Sequence, residues 1–488
     1  MTETINGKGQ ILPGHVFVYP KGEHIEMPDL LSFMRRNIQY SKDYAENMRL
    51  YTGDHEILHK QPNLVGPDNR LVVNLPHYIV DTYNGFFSGI PAKITLNDST
   101  DEENQGLQNW NDTNSIQDKL NEISKQVDVY GRAFAFAYQN ENSETKVAYA
   151  SPMEAFMVYD DTVAQEPLAF VRYWKDVTSG MWCGAVYYAD GVDDFKGSDL
   201  ESESQTNPYG LVPAVEFFAN TERQGVFDNV KTLIDALNKV MSQKSNQVEY
   251  FDQAYLKMLG LDLDNDGDGK PDIDLVNNRV IYSPDASAKD AVIDFIAKPD
   301  GDTMQEHMID RLIKMIHQVA MVPDLNDEAF ASNSSGVAMQ YKLLSMRNMA
   351  ATKERKFRYS LRQLYRIIFS VGTVVHDQDA WQRLAVDMKR NLPDNLSEEA
   401  QTASTLSNIV SKRTQLKVLS IVDDPDREIK QMQDEQAETT RLAREAADAM
   451  PDFLKDGEDD GNKPVLDTKE EEGAGVDQAE SRQRWAFC

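Results

Sequence analysis

Asp262, Asp264, Asp266, Asp268 and Asp272 fall within LDLDNDGDGKPDID, the densest cluster of metal-ligand side chains in the chain. Their D-x-D-x-D-G spacing lets alternate carboxylates converge on one Ca²⁺ while Gly267 or Gly269 permits the sharp turn. The twelfth position of such a loop, in either frame, is Ile273 or Leu275, where a complete cage needs a bidentate Glu. A Ca²⁺ site and a solvated acidic loop therefore stand as alternatives. His55 and His59 lie at i and i+4, but no Cys is nearby and Gly53 weakens a helix there, so no zinc site is expected. The sequence has no G-x-S-x-G, no H-E-x-x-H and no G-x-x-x-x-G-K-[ST], so nothing nominates a nucleophile, a cofactor or an ATPase.

A second cluster is basic. Lys342, Arg347, Lys353, Arg355, Lys356, Arg358, Arg362 and Arg366 stand against the single Glu354. Such a row could meet DNA phosphates or the acidic surface of a neighbouring copy. The second is favoured, because copies of an acidic chain need compensating charge where they meet. Between the two clusters, Asp324, Asn326, Asp327, Glu328, Asn333, Ser334 and Ser335 form a polar loop without Lys or Arg. Any contact with DNA there would be steric or through weak hydrogen bonds, which suits sliding. An ordinary surface loop is the alternative.

These residues need elements to hold them. Pro28 to Leu58 repeats Leu31, Met34, Ile38, Tyr44 and Met48 at helical spacing and should end near Gly53. Leu71 to Ser88 fits a second helix, closed by Gly89-Ile90-Pro91. From Asp128 to Trp182 the period shortens into Val, Phe and Tyr runs, predicting a small, mainly antiparallel β region. Asp193 to Pro208 is acidic and reads as an exposed turn before a strand at Val212 to Phe218. Gly225 to Leu259 predicts one long helix, Thr303 to Met321 a returning one, and Leu261 to Asp302 an insertion with strands at Arg279 to Tyr282 and near Ala291 to Ile296. Gly336 to Val374 reads as a single very long helix, and Leu396 to Met450 as further helix. Pro451 to Cys488 carries eleven acids against five bases and is expected to be disordered. The class is α+β, mainly helical.

With 488 residues, 41% of them hydrophobic and 27% charged, the chain can bury a large core, which excludes a single small module and a disordered polymer. A net charge of −30 excludes a nucleic-acid coat, which needs clustered Lys and Arg to displace counterions. It does not exclude a wall past which DNA slides, since an acidic lumen repels phosphates. Only Cys183 and Cys488 are present, so no disulfide framework is expected. Met1 to Gln10 is polar and no apolar run approaches membrane-spanning length, so the chain reads as soluble, unexported and without a membrane partner.

The stretch DNRLVVNLPHYIVDTYNGFFSGIPAKI, Asp68 to Ile94, resembles the portal proteins of long-tailed phages of Gram-positive bacteria. The resemblance continues in order through SPMEAFMVYDDT, FVRYW, NPYGLVPAVEF, LIDALNKVMSQKSNQVEYFDQAYLKMLG and PDLNDEAFASNSSGVAMQYKLL, covering most of Asn69 to Phe369. It implies a portal fold with wing, stem, clip and crown regions, assembled as a homo-oligomeric ring of about twelve subunits around a central DNA channel. On that layout residues 1–224 form the wing, 225–260 the first stem helix, 261–302 the clip and 303–322 the second stem helix. Residues 323–335 form the tunnel loop, 336–395 the long wing helix and its return, 396–450 the crown and 451–488 the tail. The resemblance also implies double-stranded DNA, terminase, a head-completion (adaptor) protein, and major capsid and scaffolding proteins as partners. Its place would be a capsid vertex of the virion, after assembly in the host cytoplasm. It implies no enzyme and no cofactor. A competing reading is a Ca²⁺-dependent binding or adhesion protein using the Asp-rich loop, but such modules usually repeat the loop and are exported.

Overall fold

The computed structural model describes residues 3–4, 7–62, 66–252, 256–259, 280–283, 292–295, 302–325, 340–392, 396–419, 421–422 and 425–448. The chain is 49% helical and 20% strand, the expected α+β class. It divides into two compact units, Met1–Leu392 and Pro393–Cys488.

The first unit opens with β1 (Glu3–Thr4), β2 (Gln10–Leu12) and β3 (Val16–Tyr19), which the sequence reading did not anticipate. All four residues of VFVY in β3 are buried, so the strand has no apolar-polar alternation to read. Helix α1 (Met27–Thr52) starts with a proline in its first turn and stops at Gly53, whose left-handed φ of 90° lets its N–H close on the last carbonyls. The helix thus ends where expected, and a separate 3₁₀ turn, Glu56–His59, follows it. Next come α2 (Leu75–Ser88), capped by the Asn74 side chain, β4 (Lys93–Leu96), α3 (Asp101–Thr113) and α4 (Ile116–Tyr130).

The β region follows as β5 (Arg132–Gln139), β6 (Thr145–Ala150), β7 (Ala155–Asp160), β8 (Pro167–Lys175), β9 (Trp182–Tyr187), β10 (Gly191–Lys196), β11 (Asp199–Thr206) and β12 (Ala214–Phe218). It builds two sheets, an eight-stranded one in the order β1-β2-β3-β7-β8-β9-β10-β11 and a three-stranded one in the order β12-β5-β6. The expected turn at Asp193 to Pro208 is thus a correction: most of it belongs to the β10–β11 hairpin, which turns at Gly197 with φ 64°. Buried Val192 and Phe195 hold β10 to the sheet, while the acids of DLESES on β11 gave the segment its loop-like composition. Helix α1 lies on the large sheet, where Leu30, Phe33 and Met34 pack with Phe17, Phe156, Val158 and Tyr173.

Helix α5 (Lys231–Asp252) begins after a 3₁₀ turn and is shorter than the sequence reading of Gly225 to Leu259. Its expected last turn is instead β13 (Leu256–Leu259), centre of a small sheet with β14 (Val280–Ser283), parallel to it, and β15 (Val292–Phe295), antiparallel. Helix α6 (Asp302–Ala320) returns beside α5. Helix α7 (Leu344–Ser370) is preceded by a break at Leu343, so the described part of Gly336 to Val374 is not one continuous helix. The strand β16 (Leu384–Asp387) pairs with β4. The main core gathers Tyr83 and Phe87 of α2, Val127 of α4, Phe217 of β12 and Phe357, Leu361 and Tyr365 of α7. The second unit holds α8 (Leu396–Thr405), α9 (Lys412–Leu416) and α10 (Pro425–Asp448).

Candidate functional site

Residues 69–73 run extended along α5, and side chains one helical turn apart receive their backbone. Asn69 N–H donates to Asn246 Oδ1 at 2.5 Å, Leu71 N–H to Ser242 Oγ at 2.9 Å and Val73 N–H to Asn238 Oδ1 at 2.7 Å. The two periods nearly match: four helical residues advance about 6.0 Å and two extended residues about 6.6 Å. Asn69 Nδ2 adds a bond to Glu249, and Asn238 Nδ2 meets His55 Nδ1 at 3.0 Å. His55 is therefore a buried hydrogen-bonding residue, and His59 pairs with Asp54. Among the described residues no group of three or more potential metal ligands converges.

The basic helix α7 separates into two kinds of residue. Lys353, placed by sequence among the candidates for DNA or a neighbouring subunit, is corrected here: it is fully buried inside its own chain. Its ammonium reaches both carboxylate oxygens of Asp128 at 2.7 and 2.8 Å and Ser124 Oγ at 2.8 Å, over the rings of Tyr83 and Phe87. Burial pushes the Asp128 carboxyl up and the Lys353 ammonium down, while their mutual attraction opposes both shifts. Arg347, Arg355, Arg362 and Arg366 are exposed, at spacings that keep them on one side of the helix. Lys356 lies over the Phe218 ring, and Arg358 is tied to Glu354 at 2.6 Å.

A second buried charge cluster was not legible in the sequence. Glu216 of β12 is ion-paired to Arg132 at 3.2 Å and Arg223 at 2.9 Å and accepts a hydrogen bond from the Tyr159 hydroxyl. Burial pushes its carboxyl up, but the two guanidiniums outweigh that and hold it down at about 2. Arg132 also donates to the carbonyls of Gly14 and His15, fastening the N-terminal hairpin to the small sheet.

Helix α6 exposes Met304, Met308, Met315 and Val319, which are 75%, 45%, 40% and 46% accessible in the single chain. The segment after it is anchored twice. His317 Nδ1 donates to Val322 O at 3.0 Å, and the Tyr78 hydroxyl accepts from Leu325 N–H at 2.8 Å while donating to Pro323 O at 3.4 Å. Of the polar-loop candidates, Asp324 lies within this anchor, between Pro323 and Leu325. Asn326, Asp327, Glu328, Asn333, Ser334 and Ser335 lie outside the described residues, as do Asp262, Asp264, Asp266, Asp268 and Asp272.

The family model for the phage portal protein of the SPP1 Gp6-like type matches residues 34–442, which take in the extended strap, the α5/α6 hairpin and the basic helix. The chain belongs to the phage portal protein family. It is 22% identical over 424 residues to the portal protein of Bacillus phage SPP1, covering 81% of each chain. It is also 22% identical over 395 residues to that of Clostridium phage phiCD119, covering 73% of this chain and 82% of the relative. Portal proteins are structural, non-enzymatic phage proteins. No helix among the described residues is long and apolar enough to cross a membrane.

Proposed function

We propose that this portal protein closes into a ring of about twelve copies at one capsid vertex and conducts double-stranded DNA during packaging and ejection. On this reading α5 and α6 are the stem, the β13–β15 sheet is the clip, residues 323–335 are the tunnel loop, α7 is the long wing helix and residues 396–450 are the crown. Terminase and the head-completion protein would dock at the clip, and the major capsid and scaffolding proteins would surround the ring as it assembles in the host cytoplasm.

The observation that carries this reading is the outward face of α6. Four large apolar side chains repeat along it and remain in water in the single chain. Even interrupted by the exposed Arg311, a row of large apolar side chains left in water on an acidic, highly charged protein marks a surface that another molecule covers. In a head-to-tail ring each copy offers that face to the next, and closure leaves none uncovered. The exposed arginines of α7 supply attraction between copies that otherwise repel. An acidic bore would keep DNA phosphates from sticking. Native mass spectrometry with electron microscopy tests the proposal. About twelve or thirteen copies around a hole support it, and a stable monomer or dimer at micromolar concentration overturns it.

A further inference from the structure

The extended strap and the anchor beyond α6 are continuous in sequence. Asn69 to Val73 lies on α5, Asn74 caps α2 by accepting from His77 N–H, and Tyr78 in the first turn of α2 holds Pro323 and Leu325. Ten residues therefore touch both helices of the α5/α6 hairpin, the first through its polar side chains and the second where it ends.

The exit from α6 needs such a hold. Met321 sits in the left-handed region with φ 59°, a conformation costly for a residue with a Cβ that persists only where its surroundings impose it. On one side the buried His317 must donate to Val322 O, because a carbonyl only accepts. On the other, the Tyr78 ring meets the His317 ring edge to face at 5.6 Å while its hydroxyl grips the next residues. Met321 lines a partly open cavity of about 150 Å³ together with Val319, Thr352 and Tyr83, so its surroundings are not packed solid around it.

We propose that residues 69–78 act as a brace, in which Tyr78 and His317 are positioning residues that set the direction of the chain leaving α6, and Asn238, Ser242 and Asn246 register the brace on α5. This deepens the channel reading and rests on it, because that exit is the root of the proposed tunnel loop. The strained Met321 conformation is the one that the brace holds in place.

Hydrogen exchange on the full-length chain tests the brace without relying on ring assembly or DNA transport. Tyr78→Phe keeps the ring contact with His317 and removes both hydroxyl bonds, so the Leu325 amide should exchange about tenfold faster while the amides of α6 keep their rates. Asn238→Ala should free Val73 and speed Leu325 as well, although residue 238 does not touch residue 325. An unchanged Leu325 rate in Tyr78→Phe overturns the anchor. A freed Val73 with Leu325 still protected in Asn238→Ala overturns the single brace. DNA packaging with the Tyr78→Phe protein supplies the functional readout: normal packaging despite fast Leu325 exchange would remove the positioning role. Failure of the chain to form rings at all would count against the channel reading and leave the exchange result standing.

Discussion

At the scale of single residues, the two buried charge clusters behave differently. Lys353 and Asp128 are both desolvated, so removing either leaves a lone buried charge. Lys353→Met should lower stability by ~3–5 kcal/mol in urea unfolding, and adding Asp128→Leu should recover much of the loss. Recovery would show that the pair specifies packing more than it stabilises. Glu216 carries the opposite sign of shift. Its folded-state carboxyl is held at about 2, below the ordinary 4.5, so its contribution is complete above about pH 4.5 and drains away as pH falls toward 2. The stability gap between the native protein and Glu216→Gln should therefore be widest near neutrality and narrow steadily below about pH 4.5. A gap that stays flat into acid would mean the ion pairs contribute nothing. Sequence alone misassigned Lys353 because a basic run on a helix shows charge and period but not which member turns inward against an acid 225 positions away.

At the scale of elements, the long helices and the strands of the β region from Arg132 to Lys175 were legible, because burial on one face imprints its period on the residue order. The misses have physical causes. Strand β11 carries DLESES at the edge of its sheet, where charge discourages further pairing and imitates a loop. Strand β13 continues the apolar run of α5 and becomes a strand only because β14 and β15 flank it. The strap on α5 was invisible because its partners lie about 170 residues apart. Two tests belong here. Met308→Asp on the α6 face should abolish higher assembly in sedimentation while leaving the thermal transition of the single chain within a few degrees, since the site is exposed. Arg355→Glu should weaken assembly roughly fivefold or more if α7 meets an acidic neighbour, and restoration by a complementary Lys on the next copy would locate that neighbour.

For the whole molecule, a charge of −30 per copy sets the terms of assembly. Repulsion between copies acts over the screening length, which falls from about 30 Å at 10 mM salt to about 8 Å at 150 mM, whereas desolvated contacts between faces are screened far less. The ring fraction should therefore rise between those two concentrations, as read by light scattering. A steady fall would mean that exposed ion pairs, and not the apolar face, hold the copies together.

The strap on α5 also works as a vernier. Its rungs are cut at about 6.6 Å on one scale and 6.0 Å on the other, so the offset grows by about 0.6 Å with each rung. Three rungs can share that error within the tolerance of a hydrogen bond, whereas a much longer ladder would drift out of step. The attachment is thus limited in length by its own arithmetic. Inserting one residue between Asn69 and Val73 would not lengthen it but would turn alternate amides away from the helix, exchanging a graduated scale for a slipped one.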